Sequence, residues 1–150
     1  LAADVENLTL TGSSAINGTG NTLDNTIIGN SGNNILTGGG GKDMLTGGAG
    51  ADTFKFTLKT DSVVGTNRDQ ITDFSSASGD KIDLSVIDAN SLLTGDQAFS
   101  FIGSSVFAHV AGQLRFASAI LAGDINGDGV ADFEIQLTGV ATLMAADIVA

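Results

Sequence analysis

The chain has no cysteine, proline, tryptophan or tyrosine and only one histidine among its 150 residues. Without cysteine there is neither a disulfide framework nor a thiolate metal site, so any stabilising cross-link comes from elsewhere. Basic residues are scarce: six Lys and Arg stand against seventeen Asp and Glu, a formal charge of -11. Neutralising nucleic-acid phosphates needs a basic face, so that class is excluded, and the same charge argues against docking on anionic lipid. The one histidine, His109, cannot build a His-Glu-x-x-His zinc helix, and no Gly-x-Ser-x-Gly elbow accompanies it for a serine triad. His109 is expected on a solvated strand face. Paired carboxylates serve glycosidases, but an aromatic sugar platform of Trp or Tyr is missing. Apolar runs are short and broken by Gly or Asp, so nothing is long enough to span a membrane. The N-terminus shows no basic region followed by an apolar stretch, and the start at Leu1 without Met reads as a piece of something longer.

What is present points to turns. Fifteen of the seventeen acids are Asp, leaving only Glu6 and Glu134, and there are 21 Gly and ten Asn. Asp, Asn and Gly suit loops and disfavour helix interiors. With 42% apolar residues the chain can still supply a core, which argues against disorder. The expected class is all-β.

The turns are periodic. From Gly29 the chain divides into Gly29-Asn-Ser-Gly-Asn-Asn-Ile-Leu-Thr37, Gly38-Gly-Gly-Gly-Lys-Asp-Met-Leu-Thr46 and Gly47-Gly-Ala-Gly-Ala-Asp-Thr-Phe-Lys55, a period of nine. The second unit carries Gly38, Gly39, Gly40, Gly41 and Asp43, and the third Gly47, Gly48, Ala49, Gly50 and Asp52; both match G-G-x-G-x-D-x-U-x, with Leu45 and Phe54 as the apolar U. The first keeps Gly29, Ser31 and Gly32 but has Asn30 and Asn34 at the second and sixth positions. One period earlier, Gly20 and Asn25 survive while Leu23 takes the fourth position. Upstream, Leu8-Thr-Leu10 and Ala15-Ile16 read as short strands of a capping edge.

Each unit supplies roughly six residues of turn and three of strand, with one apolar side chain inward. Repeated Gly permits positive φ and lets carbonyls point into a shared cleft. Asp at the sixth position adds a carboxylate, and such hard oxygen donors suit Ca²⁺, whereas Zn²⁺ or Cu²⁺ would want His or Cys. The competing reading, a turn array that needs no ion, leaves unexplained why Asp recurs at one position despite mutual repulsion. A phosphate loop ending at Gly41-Lys42 fails, since Asp43 replaces the required Ser or Thr and Leu36 the first Gly.

These units resemble the RTX nonapeptide family, the calcium-binding parallel β-roll of secreted bacterial proteins. The resemblance implies that two units complete one turn, with an ion between a loop and the loop two units on. That pairs Gly20–Asn25 with Gly38–Asp43, and Gly29–Asn34 with Gly47–Asp52. Sites containing Asn are expected to be weaker. Continuing the count places Asp61 at the next sixth position, closing the final site together with Asp69.

After Phe56 the glycines thin out. Asp69–Phe74, Asp80–Leu84, Phe99–Ile102, Gln113–Phe116 and Phe133–Leu137 read as strands, several alternating as a half-buried antiparallel layer does. A short helix is expected over Ser91–Ala98. The division is therefore a β-roll over residues 1–58 and an antiparallel cap over 59–150. Asp124, Asn126, Asp128 and Asp132 place oxygens as in the front of an EF-hand-like calcium loop, although position twelve is Ile135; the alternative is a hairpin turn. Ile71-Thr-Asp-Phe74, Asp80–Ser85, Ala111–Arg115 and Asp128–Phe133 are similar to the C-terminal domain of serralysin-type metalloproteases, a module also found on other exported enzymes. The end, Asp147-Ile-Val-Ala150, looks like that family's type I export signal, and equally reads as an edge strand.

The resemblance implies a non-catalytic module of a secreted enzyme of a Gram-negative bacterium. Its partners would be calcium ions, the ABC exporter of type I secretion and an N-terminal catalytic domain. The alternative is a polysaccharide- or surface-binding targeting module, and a weaker third is a small enzyme in its own right.

Overall fold

Because each nonapeptide is mostly turn, its strands are short. A computed structural model describes all 150 residues. Along the repeats it places β1 (Asn7–Thr9), β2 (Gly18–Thr19), β3 (Thr26–Ile28), β4 (Ile35–Thr37), β5 (Met44–Thr46) and β6 (Thr53–Lys55). Successive strands alternate between two sheets, so each parallel partner lies two units away: β1 with β3 and β3 with β5, β2 with β4 and β4 with β6. Ile27 lies opposite Leu45 and Leu36 opposite Phe54. All four are fully buried. The eighth position therefore builds the interior of a parallel β-roll.

The parallel stack runs past residue 58. β7 (Asp69–Ile71) joins β5, and β8 (Lys81–Asp83) joins β6, both in parallel. Neither has a glycine-rich turn in front of it. What persists is the Asp-x-apolar triplet, in Asp69-Gln-Ile71 and Asp80-Lys-Ile82, with Ile71 and Ile82 fully buried. The inward residue holds the strand in place, while the loop before it is free to lengthen.

The cap comprises β9 (Ser100–Phe101), β10 (Gln113–Ala117), β11 (Ile120–Asp124) and β12 (Phe133–Leu137). Strands β10, β11 and β12 are antiparallel. β12 then runs parallel to β7, so cap and roll share one eight-stranded sheet and one hydrophobic cluster of 18 buried residues. Arg68 donates to Glu134 of β12 (Nη2–Oε2 2.8 Å), clamping the long β6–β7 loop onto the cap. β11 was not evident from sequence. Its turn from β10 uses Ser118 and Ala119 at φ of 53° and 60°, a two-residue reversal made without the usual Asn-Gly signal.

Three local expectations fail. Ser91–Ala98 forms turns, because Asp88 Oδ1 accepts the Asn90 and Gln97 amides and Asn90 Oδ1 accepts that of Leu92, competing with helical bonding. The strand expected at Ala15-Ile16 falls at β2 instead. His109 lies in an exposed bend at φ 56°, not on a strand face. At the C-terminus, β13 (Ile148–Val149) adds to β8 as a parallel edge strand, and buried Asp147 accepts from the Ser76 hydroxyl and the Met144 amide.

Replacing Ile71 by Ala should cost about 2–5 kcal/mol, since it opens a cavity where roll and cap meet. Leu92→Ala, at a side chain 70% exposed, should stay within about 0.5 kcal/mol. Urea denaturation in calcium checks both.

Candidate metal centre

The turns before the strands stack into two columns, one on each side of the roll. Within each column the sixth-position side chain reaches back to the coil before it. Asp43 Oδ1 accepts the Asn25 amide (2.7 Å) and Asp69 Oδ1 accepts the Asp43 amide (2.8 Å). On the other side Asp52 Oδ1 accepts the Asn34 amide (2.8 Å) and Asp80 Oδ1 that of Asp52 (2.9 Å). Each carboxylate thus replaces the backbone acceptor that a continuous sheet would have supplied.

The second oxygens differ. Asp43 Oδ2, Asp52 Oδ2 and Asp69 Oδ2 are buried and have no hydrogen-bond partner. Asp80 Oδ2 accepts from the Ser75 amide. An orphaned carboxylate oxygen in the interior is costly unless it is protonated or meets a cation. Burial, the dominant cause, pushes Asp69 up to about 8 from 3.8, against the Asp43 amide and helped by the charges of Asp43, Asp61 and Asp24. Burial also raises Asp43 to about 6, against the Asn25 amide, with Asp24 and Asp61 adding to the rise. Asp52 and Asp80 are raised for the same first reason.

Glycine makes the close stacking possible. A Cβ at Gly38 would collide with Asp43 Oδ2, and one at Gly47 with Asp52 Oδ2. At Gly20 it would meet the Gly38 carbonyl, and at Gly29 the Gly47 carbonyl. Gly39, Gly41, Gly48 and Gly50 also have positive φ, from 94° to 111°, where an L side chain is strained. Third-position amides stack too: Gly40 donates to the Asn21 carbonyl, Ala49 to that of Asn30 and Ser31 to that of Gly12. A Cβ at Gly32 would reach the Ser13 and Ser14 carbonyls.

No three Asp, Glu or His side chains converge into a ready-made cluster. The donor set that fits is instead the hard-oxygen one of calcium, with an unpaired carboxylate oxygen on each side and carbonyls packed against glycine. Asp43, Asp52 and Asp69, with neighbouring loop carbonyls, are the residues that would hold it.

Other sequence-derived candidates sit elsewhere. Asp61 is buried, but its Oδ2 takes the Thr57 amide and hydroxyl and the Leu58 amide, so it caps the turn after β6. The nine-residue count had pointed to it. The column spacing, 18 residues between Asn25 and Asp43, stretches to 26 before Asp69 and 28 before Asp80. Asp80 was therefore missed, although its Asp-x-apolar triplet was a usable signal. Asp73 was missed as well: its two oxygens accept the consecutive Gly47 and Gly48 amides (both 2.8 Å).

The Asp124–Asp132 loop closes on itself. Asp124 accepts from Gly127 and Gly129, Asp132 from the Ile125 amide and the Asn126 side chain, Asn126 from Asp128, and Asp128 from Val130. It connects the β11–β12 hairpin and leaves no buried oxygen without a donor.

Stacked nonapeptide turns, inward eighth positions and a sixth-position acid column define a β-roll repeat module continued by an antiparallel cap. The chain belongs to the Peptidase M10 serralysin C-terminal family, whose match covers residues 3–150. That family is the RTX-type, non-catalytic C-terminal repeat part of secreted enzymes. The chain is similar to the solution structure of a subunit of the Azotobacter vinelandii mannuronan C5-epimerase, at 28% identity, 99% of this chain, 81% of that one and a TM-score of 0.58. A second subunit of that epimerase gives 26% identity over 87% of this chain and 90% of its own, with a TM-score of 0.42. Among curated proteins no match is found.

The raised carboxyls set a pH dependence. A folded-state value above the unfolded 3.8 means the fold binds extra protons. In chelator, the stabilising contribution of these two carboxyls should be fully present below about pH 4 and be lost as pH rises through about 6 (Asp43) and about 8 (Asp69). Asp69→Asn should flatten the upper part of that fall. Thermal melts from pH 4 to pH 9 in chelator check it, and saturating calcium should abolish the decline.

Proposed function

We propose that this chain is a calcium-binding module that folds outside the cell and supports the type I export and stability of the secreted enzyme to which it is joined. The observation that carries the reading is the trio of unpaired buried oxygens on Asp43, Asp52 and Asp69. In a medium poor in calcium, ionised acids at these rungs repel one another and lack compensation, so the roll is disfavoured and the chain stays threadable. Extracellular calcium modules work in the ~10⁻⁴–10⁻³ M range, far above cytosolic levels. A hundredfold excess over Kd contributes about 2.7 kcal/mol per independent site, so several sites decide whether the roll persists. The shared sheet through β7 and β12 passes that gain to the cap. The C-terminal strand β13 is short and at an edge, which fits a segment read by an exporter before folding and packed afterwards.

Far-UV circular dichroism of the chelated protein should show a cooperative gain of β signal on adding Ca²⁺ and none with Mg²⁺. Asp43→Ala or Asp52→Ala should shift the midpoint to higher calcium. A spectrum already fully folded in chelator at pH 8 would reject the reading.

A second reading, polysaccharide targeting, is favoured by a groove of about 320 Å³ lined by Lys42, Thr66, Arg68, Gln70, Gln136, Thr138 and Gly139, none of them apolar. Two of the six basic residues gather there, on an otherwise acidic molecule. Calorimetry with alginate-like polymers in calcium should then show heat that Lys42→Ala diminishes; no heat with the wild type removes it.

A further inference from the structure

Asparagine stands in place of glycine at the second position and of aspartate at the sixth in the first two nonapeptides, and its side chains do something an acid cannot. Asn21 Nδ2 donates to two carbonyls of the preceding coil, Ala2 (2.6 Å) and Val5 (2.8 Å). On the opposite side Asn30 Nδ2 does the same with Thr11 (3.2 Å) and Ser14 (3.0 Å). The sixth-position partners follow suit: Asn25 Nδ2 donates to Val5 O (3.3 Å) and Asn21 Oδ1 (3.2 Å), and Asn34 Nδ2 to Ile16 O (2.7 Å) and Asn30 Oδ1 (3.1 Å). Their oxygens are used as well. Asn25 Oδ1 accepts the Asn21 amide and Asn34 Oδ1 the Asn30 amide, both at 2.8 Å. In Asp43 and Asp52 the corresponding second oxygen is orphaned.

A cation gathers carbonyl and carboxylate oxygens, and an NH₂ group aimed at the same carbonyls gathers them by hydrogen bonding, with no charge to desolvate. The same paired-asparagine network occurs independently on both sides of the roll, at equivalent positions two and six. We propose that the two N-terminal clefts, between residues 1–6 and 20–25 and between 11–16 and 29–34, are closed by these carboxamides in place of an ion. The roll is then divided: its first coils need no metal, and only the coils from Asp43 onward require one. The lower half of this division rests on the calcium reading above; the upper half does not. Asn25 and Asn34 direct Nδ2 at the coil before them and so act as plugs in these two clefts; the pairings of 20–25 with 38–43 and of 29–34 with 47–52, where weaker asparagine sites are expected, are separate clefts.

The experiment counts ions on the full chain by calorimetry, using Asn21→Ala and Asn30→Ala. Each variant should keep the wild-type calcium count, hold Kd within about twofold, and lower the melting temperature of the calcium-saturated protein by about 2–4 °C. A count that falls by one in either variant makes that asparagine a ligand and overturns the proposal. Hydrogen exchange of side-chain carboxamide protons in the wild type reads the plugs directly, whether or not the variants fold. Asn21, Asn25, Asn30 and Asn34 should exchange at least about tenfold more slowly than exposed Asn67, and equal rates sink the idea. A wild type that binds no calcium yet protects these four groups removes the calcium reading and leaves the plugs standing; bound calcium with unprotected groups does the reverse.

Discussion

The hydrogen bond from a backbone amide at the sixth position of one coil to the sixth-position carboxylate of the next governs this structure. It recurs from Asn25 to Asp43 to Asp69 on one side and from Asn34 to Asp52 to Asp80 on the other. Each bond fixes the register of the strand that follows, and so sends the residue two places on, Leu45, Ile71, Phe54 or Ile82, into the interior. The same bond stacks like charges in a buried column and leaves three oxygens without donors. Folding and charge compensation are thereby one problem: the interaction that sets the register also creates an electrostatic demand that protons or a cation would meet.

The cap is joined to that column through the sheet. β7 carries Asp69 at its start and Ile71 in the core, and it pairs with β5 of the repeats on one edge and β12 of the antiparallel layer on the other. Ser62 and Arg68 hold the intervening loop against Glu134. A change in the charge state of the Asp69 rung is therefore felt directly at the interface of roll and cap. On the opposite sheet, the Lys55–Asp83 pair (3.3 Å) and the β13 edge strand close the end of the stack.

Asp and Asn differ by one group, and the roll uses both. At Asp43, Asp52 and Asp69 the acid provides an acceptor for the neighbouring coil and leaves an oxygen open, whereas the amide of Asn25 or Asn34 turns a donor toward a carbonyl. A column can thus contain turns whose polar groups are all paired and turns that leave a carboxylate oxygen open, and their backbones differ as well: Gly39, Gly41, Gly48 and Gly50 take positive φ where Asn21, Leu23, Asn30 and Gly32 do not.

The repeat, the all-β class, the inward eighth positions and the acid at position six were legible in the sequence, because nine-residue spacing and glycine at defined offsets are local properties. That spacing leads to Asp43 and Asp52, which stand in the two columns. It does not lead to Asp80 and Asp73, since the loops ahead of β7 and β8 lengthen and the count no longer predicts which residue reaches the column. The same lengthening leaves Asp61, where the nine-residue count points, capping the turn after β6. The Asp124–Asp132 loop has oxygens at calcium-like spacing, yet only the fold shows them turned onto its own amides. Sequence by itself determined what each turn contains; the tertiary structure decided which oxygens remain unpaired, because that depends on the amides presented by a coil 18 to 28 residues away.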